Sequence, residues 1–531
     1  MREKATFEQS TDTIETYDFV EIEIRPATPA AGNPFTDVAV TGAFGLEGKP
    51  PRTAEGFCDS ADGSVYRIRF MATERGVHTY EVTLTHAGTT ATHAGSFTAT
   101  DSARKGIVRV DRDHAWHFVW DGTGEHYFWN ATTAYFLMGW DLDTIKRNID
   151  RLADLRVNRL RVAVAGRVAS GQDWAERVYA TDKFSFLLNP WVAEQPDSLE
   201  EPGFDPTRFN TEYWQKFDAL LRHARERDVI VSVVFYVDGR KPGVEPFGNT
   251  GMGNEDEQRY YRYAVARFGA FSNVMWDVSN EYRQFRTDWW AENMGTLIKA
   301  KDPYRHLVSI HGHNDFRFRT AAWADFAMFQ KWDEEGGYKF MCQNRKEQAE
   351  AGRPMPQVNE EYGYEDHYPM GWGGNRRPPS RSADNRRRVA WSIYMAGGYQ
   401  TNGERANTGT GWGPDSGGGW INGRGDNSMT MFPKFGHIVD FFTSFEWWKA
   451  EPQRAVHKQA GLCLAEPGRQ YAVYTFAGDA LDVALEPGSY EARQFNPRTG
   501  EWTELGAVEG PQWTTPEAPD MDDWAFLLTK K

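Results

Sequence analysis

Cysteine is nearly absent. Cys58, Cys342 and Cys463 are the only three in 531 residues, and they lie far apart with no CxxC pair. That excludes a disulfide framework and a structural zinc site, and leaves buried free thiols as the expectation. Long apolar runs are missing too: no segment is long and apolar enough to cross a bilayer, so no membrane partner is expected. The first residues, "MREKATFEQSTDTIETYDF", lack the apolar centre of a secretory signal. A cytoplasmic protein is therefore expected, or a secreted one whose leader was removed. Positive charge is in deficit, with 60 Lys and Arg against 75 Asp and Glu and a formal charge of −15. Such a chain repels phosphate backbones, which argues against nucleic acid as a partner.

Aromatic residues are abundant instead, with 21 Trp and 22 Tyr, a surplus that a sugar-binding cleft would use as stacking platforms. At this length two to four domains are expected. Residues 1–105 read as a β-sandwich: "SVYRIRF" alternates Tyr66, Ile68 and Phe70 against Arg67 and Arg69, the period of a half-buried strand, and "TYEVTLT" repeats it. From 106 to 451 strands alternate with helices. Ile145, Ile149, Leu152 and Leu155 fall at helical spacing, as do Tyr213, Phe217, Leu220 and Leu221. "VIVSVVFYV" is a continuous apolar strand of the kind covered on both faces. Residues 452–531 return to short strands, with the turn "NPRTG" signalling a hairpin and a second β-sandwich.

Eight strands can be counted in the central segment, near 126–133, 159–164, 229–236, 273–280, 306–311, 326–330, 356–361 and 398–403. Eight βα repeats predict an α/β fold, a (β/α)8 TIM barrel flanked by the two β-sandwiches, with its active site at the C-terminal ends of the strands. "NVMWDVSNEY" is then the fourth strand, an apolar run stopping at Asn280 and Glu281, and "PQVNEEYG" is the seventh, ending at Glu361. Hydrolysing a glycosidic bond takes an acid for the departing oxygen and a second carboxylate as nucleophile or base, the two held about 5–5.5 Å apart in retaining enzymes. A barrel brings the mouths of strands four and seven together, although 80 positions separate Glu281 from Glu361.

A strand ending in Asn-Glu at position four and one ending in Glu-aromatic-Gly at position seven resemble clan A of the glycoside hydrolases. The resemblance implies a retaining enzyme in which Glu281 is the acid/base, Glu361 the nucleophile and Asn280 a partner of the sugar 2-hydroxyl. It implies no metal or organic cofactor, and oligosaccharides or glycosides as substrates. More closely, "GFCDSADGSVYRIRFMATERGVHTYEV" with the barrel and trailing sandwich resembles the apiosidase-like family, in which "SIHGH" and "FAMFQKW" have counterparts. That implies that His311 and Gln330 line the sugar site and that Arg161 supports the nucleophile. The seventh strand departs from that family's Gly-Glu-Pro, reading Glu360-Glu361-Tyr362.

Several residues carry competing readings. Alternation puts Glu361 and Glu360 on opposite sides of their strand, so Glu360 is the alternative nucleophile, and Glu404 in "NGER" reads as a rim residue. His311 and His313 could together ligate zinc on a strand, which would make a metal-dependent hydrolase. Tyr236, Asp238, Trp140 and Trp412 fall near strand mouths or long loops and are candidate sugar contacts. The acidic "GNEDEQ" reads as a solvated helix start. An inert carbohydrate-binding protein of the same architecture is the other alternative.

Overall fold

The computed structural model describes residues 5–29, 32–166, 183–237, 239, 243–332, 337–363, 365, 382–403, 430–454 and 461–531. Eight parallel strands form its centre: β1 (Asn130–Thr133), β2 (Arg159–Ala165), β3 (Ile230–Tyr236), β4 (Val274–Asp277), β5 (Val308–Ser309), β6 (Ala327–Gln330), β7 (Gln357–Glu361) and β8 (Tyr399–Gly403). Neighbours follow the order β5-β4-β3-β2-β1-β8-β7-β6, and a parallel bridge between His311 and Met328 closes the ring. All residues of β2 and β3 are buried, as expected for strands covered by helices outside and filled by side chains within.

The helices α1 (Leu142–Asp154), α2 (Thr211–Glu226), α3 (Glu255–Phe268) and α4 (Asp288–Lys301) follow β1 to β4. Then α5 (Tyr338–Glu350), α6 (Ala383–Met395) and α7 (Met431–Phe442) follow β6, β7 and β8. Their apolar stripes face the strands: Ile145, Ile149 and Leu152 of α1, and Tyr213, Phe217, Leu220 and Leu221 of α2, are buried. The repeat is incomplete at one place. Residues 310–326 connect β5 to β6 without an α-helix, and Phe316, Phe318 and Trp323 are buried in that connection. The stretch "GHNDFRFRTAAWADF" has no apolar residues at sustained helical spacing, so eight strands carry seven helices among the described residues.

The N-terminal region folds as a four-stranded sheet (Ala5–Gln9, Phe19–Pro26, Tyr66–Met71, Phe57–Cys58) and a five-stranded sheet (Thr13–Glu15, Thr89–Thr100, Gly76–His86, Val38–Leu46, Arg52–Glu55). Tyr66, Ile68 and Phe70 are buried as the alternation predicts. Arg69, on the polar face, is buried as well, because the barrel covers that face. Its guanidinium donates to both oxygens of Asp218 on α2 at 2.9 Å, to Glu21 at 2.6 Å and to the carbonyl of Arg267 on α3 at 2.8 Å. Removing one partner of such a buried pair strands the others' charge, at about 3–5 kcal/mol. Arg69→Ala is therefore expected to lower the midpoint of thermal unfolding by several degrees, read by calorimetry; an unchanged midpoint would remove this contact from the list of stabilising ones.

The C-terminal region contributes a six-stranded antiparallel sheet, with Ser489–Phe495 and Trp502–Glu509 paired as the hairpin around "NPRTG". It meets the barrel where Trp391 of α6 stacks on Tyr474 and where Arg387 of α6 pairs with Asp523. Cys58, Cys342 and Cys463 are free, and Cys342 is only half-buried rather than buried.

Candidate active site

The mouth is built where strand β4 runs past its last regular residue. Asn280 N–H donates to the carbonyl of Tyr236 at 2.9 Å and Tyr282 N–H to that of His311 at 3.2 Å, so the chain stays tied to both neighbouring strands through residue 282. Glu281 sits between these ties with φ 42° and ψ 42°, in the left-handed region. A residue with a Cβ adopts that conformation only when its surroundings impose it, and such positions concentrate at functional sites. Behind the turn, Arg286 N–H donates to Tyr282 O at 2.7 Å, and its guanidinium is clamped by Glu245 and Glu257, each at 3.0 Å.

Asn280 is fixed on three sides. Tyr135, just past β1, donates its hydroxyl to Asn280 Oδ1 at 2.9 Å, Arg161 Nη2 approaches the same oxygen at 3.3 Å, and His311 Nδ1 contacts it closely. An arginine can only donate, so the atom it meets is the amide oxygen. The amide nitrogen makes no hydrogen bond among the described residues and is the end left for a ligand. Burial, with the charges of Arg161, His313 and Arg159, holds the His311 imidazole well below its usual pKa, so it is neutral. With Nδ1–H donated to Asn280, Nε2 carries the lone pair, has no hydrogen-bond partner among the described residues, and lies 3.9 Å from Glu361 Oε2.

One histidine thus touches Asn280 and faces Glu361, linking the ends of β4 and β7. Tyr135 senses both carboxylates: burial raises its phenol well above the ordinary pKa, Arg161 opposes this, and the charges of Glu361, Glu281 and Asp277 add to it. Glu361 is nine-tenths buried and Glu281 half-buried.

Glu360 and Glu361 separate cleanly. The β6–β7 register shifts between Phe329, opposite Asn359, and Gln330, opposite Glu361, leaving Glu360 as the extra residue of a bulge. Glu360 has no exposed surface and pairs with Arg159 Nη1 at 2.9 Å in the barrel floor. The strict alternation expected for β7 fails at this bulge, because both carboxylates turn toward the barrel axis.

Other expected residues fall differently. Arg161 is fully buried, but its ion pairs run to Asp277, at 2.7 Å, and Glu360, at 3.8 Å, rather than to Glu361. It holds Asn280, not the residue at the end of β7. Gln330 is half-buried at the end of β6, with its side-chain oxygen unpartnered among the described residues. Tyr236 is wholly buried, donates its hydroxyl to Glu257 of α3 at 3.0 Å and lies under the Arg286 guanidinium, so it buttresses the Glu281 turn from behind and is closed to a sugar. Glu257, expected in a solvated helix start, is likewise buried, accepting also from Trp290 Nε1 at 2.9 Å. Trp140 is buried, packed edge-on against Phe184 with ring centres 4.9 Å apart. Asp238, Trp412 and Glu404 lie outside the described residues. Among the described residues no group of three or more His, Cys, Asp and Glu side chains is arranged to hold a metal ion, and His311 Nδ1 is engaged by Asn280.

Sequence reasoning missed Tyr135, Arg159 and Asp277. The signal for the last two was a charged residue inside an otherwise apolar strand, which burial tolerates only with a partner.

A closed parallel barrel with a convergent acidic and amide cluster at its C-terminal mouth is that of a barrel glycoside hydrolase. The catalytic-domain profile of the apiosidase-like family matches residues 114–404, more than half of the chain, and the chain belongs to that family of glycoside hydrolases. Residues 13–85 match a domain of unknown function, DUF5060. A comparison with curated proteins finds no match. Among solved structures, the chain is similar to a provisionally named glycoside hydrolase from Bacteroides vulgatus ATCC 8482, with 20% identity, TM-score 0.78, and coverage of 98% of this chain and 100% of that one. It is also similar to a family 5 glycoside hydrolase from the same organism, with 15% identity, TM-score 0.60, and coverage of 80% and 93%. These likenesses carry the fold.

Proposed function

We propose that the chain hydrolyses glycosidic bonds of oligosaccharides or glycosides with retention, by double displacement. Glu361 attacks the anomeric carbon while Glu281 protonates the departing oxygen; Glu281 then takes a proton from the water that frees the sugar. Asn280 donates its amide N–H to the sugar 2-hydroxyl, a bond that strengthens as positive charge develops on the ring. The observation that carries this reading is the single histidine contact spanning both strand ends, Asn280 beside Glu281 on one nitrogen and Glu361 3.9 Å from the other. The reading extends to exo action, because a cytoplasmic enzyme would meet imported oligosaccharides or glycosides rather than polymers.

The test is a panel of aryl pyranosides, aryl furanosides and oligosaccharides, with product configuration followed by proton NMR during turnover. Retained configuration and a monosaccharide as first product are expected. An inverted first product would overturn the double displacement, and internal cleavage of a long substrate would overturn the exo mode.

A further inference from the structure

We propose that Asp277 is a positioning residue that orients the Asn280 amide through Arg161. This deepens the two-glutamate reading and rests on it. The barrel floor holds four fully buried charged side chains from three strands: Arg159 and Arg161 on β2, Asp277 on β4 and Glu360 on β7. Two cations face two anions, so the set is neutral only while both acids are ionised. Within it the pairings are unequal. Glu360 takes Arg159 at 2.9 Å, whereas Asp277 Oδ2 accepts from Arg161 twice, from Nη2 at 2.7 Å and Nε at 3.2 Å.

Those two hydrogen bonds hold the Arg161 guanidinium in orientation, since two of its nitrogens are tied to one oxygen. The remaining nitrogen, Nη1, donates to the Tyr135 hydroxyl at 2.7 Å, and that hydroxyl in turn donates a hydrogen bond to Asn280 Oδ1 at 2.9 Å. Asn280 therefore receives Arg161 twice, directly and through the phenol. Rotating the guanidinium would move both donors at once and release the amide, with the N–H groups offered to the sugar. Asp277 touches no substrate; it acts through Arg161, and Arg161 acts through Asn280.

The chain is sensitive to acid. Burial pushes the Asp277 carboxyl up to about 6, against the pull of Arg161 and Arg159 and with Glu360 adding to the rise. The groups facing it are Arg161 and Arg159 on β2, Glu360 on β7, the phenol of Tyr135 just past β1 and, from α3, the phenol of Tyr261. Falling pH neutralises Asp277, the near anchor of Arg161, leaving the guanidinium with only the longer ionic contact to Glu360 at 3.8 Å and the floor with an uncompensated positive charge. Activity held up by this anchor is present above about pH 6 and declines below it.

Asp277→Asn keeps the shape of the side chain and removes its charge. The expected result is a fall of up to about 10²-fold in kcat with a smaller change in KM, together with displacement of the acid limb of the kcat/KM profile to lower pH. Tyr135→Phe removes one donor without disturbing a charge, and is expected to lower kcat in the same direction while leaving the acid limb in place. Side-chain 15N spectra of His311 supply a readout independent of turnover: the Nδ1–H signal that reports its bond to Asn280 should weaken in Asp277→Asn and persist in Glu361→Gln. A uniform loss of kcat across pH with an unmoved limb and unchanged His311 spectrum would overturn the proposal. Failure of the two-glutamate reading looks different, as Glu281→Gln and Glu361→Gln would then retain activity.

Discussion

Glu361→Gln is expected to reduce kcat on an aryl glycoside by about 10⁴-fold or more, the scale on which loss of a covalent nucleophile acts. The substitution is close to isosteric and keeps the side chain's shape at the end of β7, so the thermal midpoint should change little. An amide oxygen is a far poorer nucleophile toward the anomeric carbon than a carboxylate, and no covalent glycosyl-enzyme forms. The comparison that gives the measurement its force is Glu360→Gln. That change leaves Arg159 in the barrel floor without its anion, so its main effect should be a lowered midpoint, with activity reduced through stability. Intact-protein mass spectrometry after incubation with a slowly turning-over fluorinated glycoside should show one sugar added to the native chain and none to Glu361→Gln. If the label instead disappears in Glu360→Gln with an unchanged midpoint, the two glutamates have been assigned the wrong way round.

The barrel was legible because its signal is repeated. Strands β2 to β6 are short and mostly apolar, and most segments between strands carry helical stripes, so an error in one element leaves the count intact; even β8, with the weakest pattern, lies at Tyr399–Gly403 within the expected stretch. The missing fifth helix was legible in principle, since the sequence between His311 and Phe326 has no stripe, but the expectation of a regular repeat overrode it. The strand ends were legible: Asn280 and Glu281 follow β4, His311 follows β5 and Glu361 ends β7, with His311 touching Asn280 and lying 3.9 Å from Glu361.

What supports them was not. Arg161 reaches Asp277 across 116 positions and Arg159 reaches Glu360 across 201, and alternation gives the side of a strand but not which of several buried acids an arginine will choose. The bulge in β7 has no mark in "QVNEEY", and it alone places two consecutive glutamates inside the barrel. Arg69 and Glu257 fail for a third reason. Each lies on a face that its own element leaves polar, and only the docking of another layer buries it.

Glu281→Gln is expected to show a loss that depends on the leaving group, which distinguishes an acid/base from a nucleophile. For a sugar or alkyl leaving group, whose oxygen must be protonated as it departs, kcat should fall by about 10²–10⁴-fold. For a dinitrophenyl glycoside, whose leaving group is already stable as an anion, the first step should survive and the glycosyl-enzyme should accumulate, giving a burst of phenolate followed by a slow steady state. The slow phase reports the missing base in the second step. Sodium azide needs no deprotonation, so it should restore turnover by attacking the intermediate, and the glycosyl azide should carry the configuration of the substrate. The left-handed backbone at Glu281 is compatible with this variant, since Glu281→Gln changes nothing at Cβ and the ties at Asn280, Tyr282 and Arg286 remain. Equal losses on both kinds of leaving group, with no response to azide, would mean that Glu281 moves no proton and that its strained position serves only the shape of the cleft.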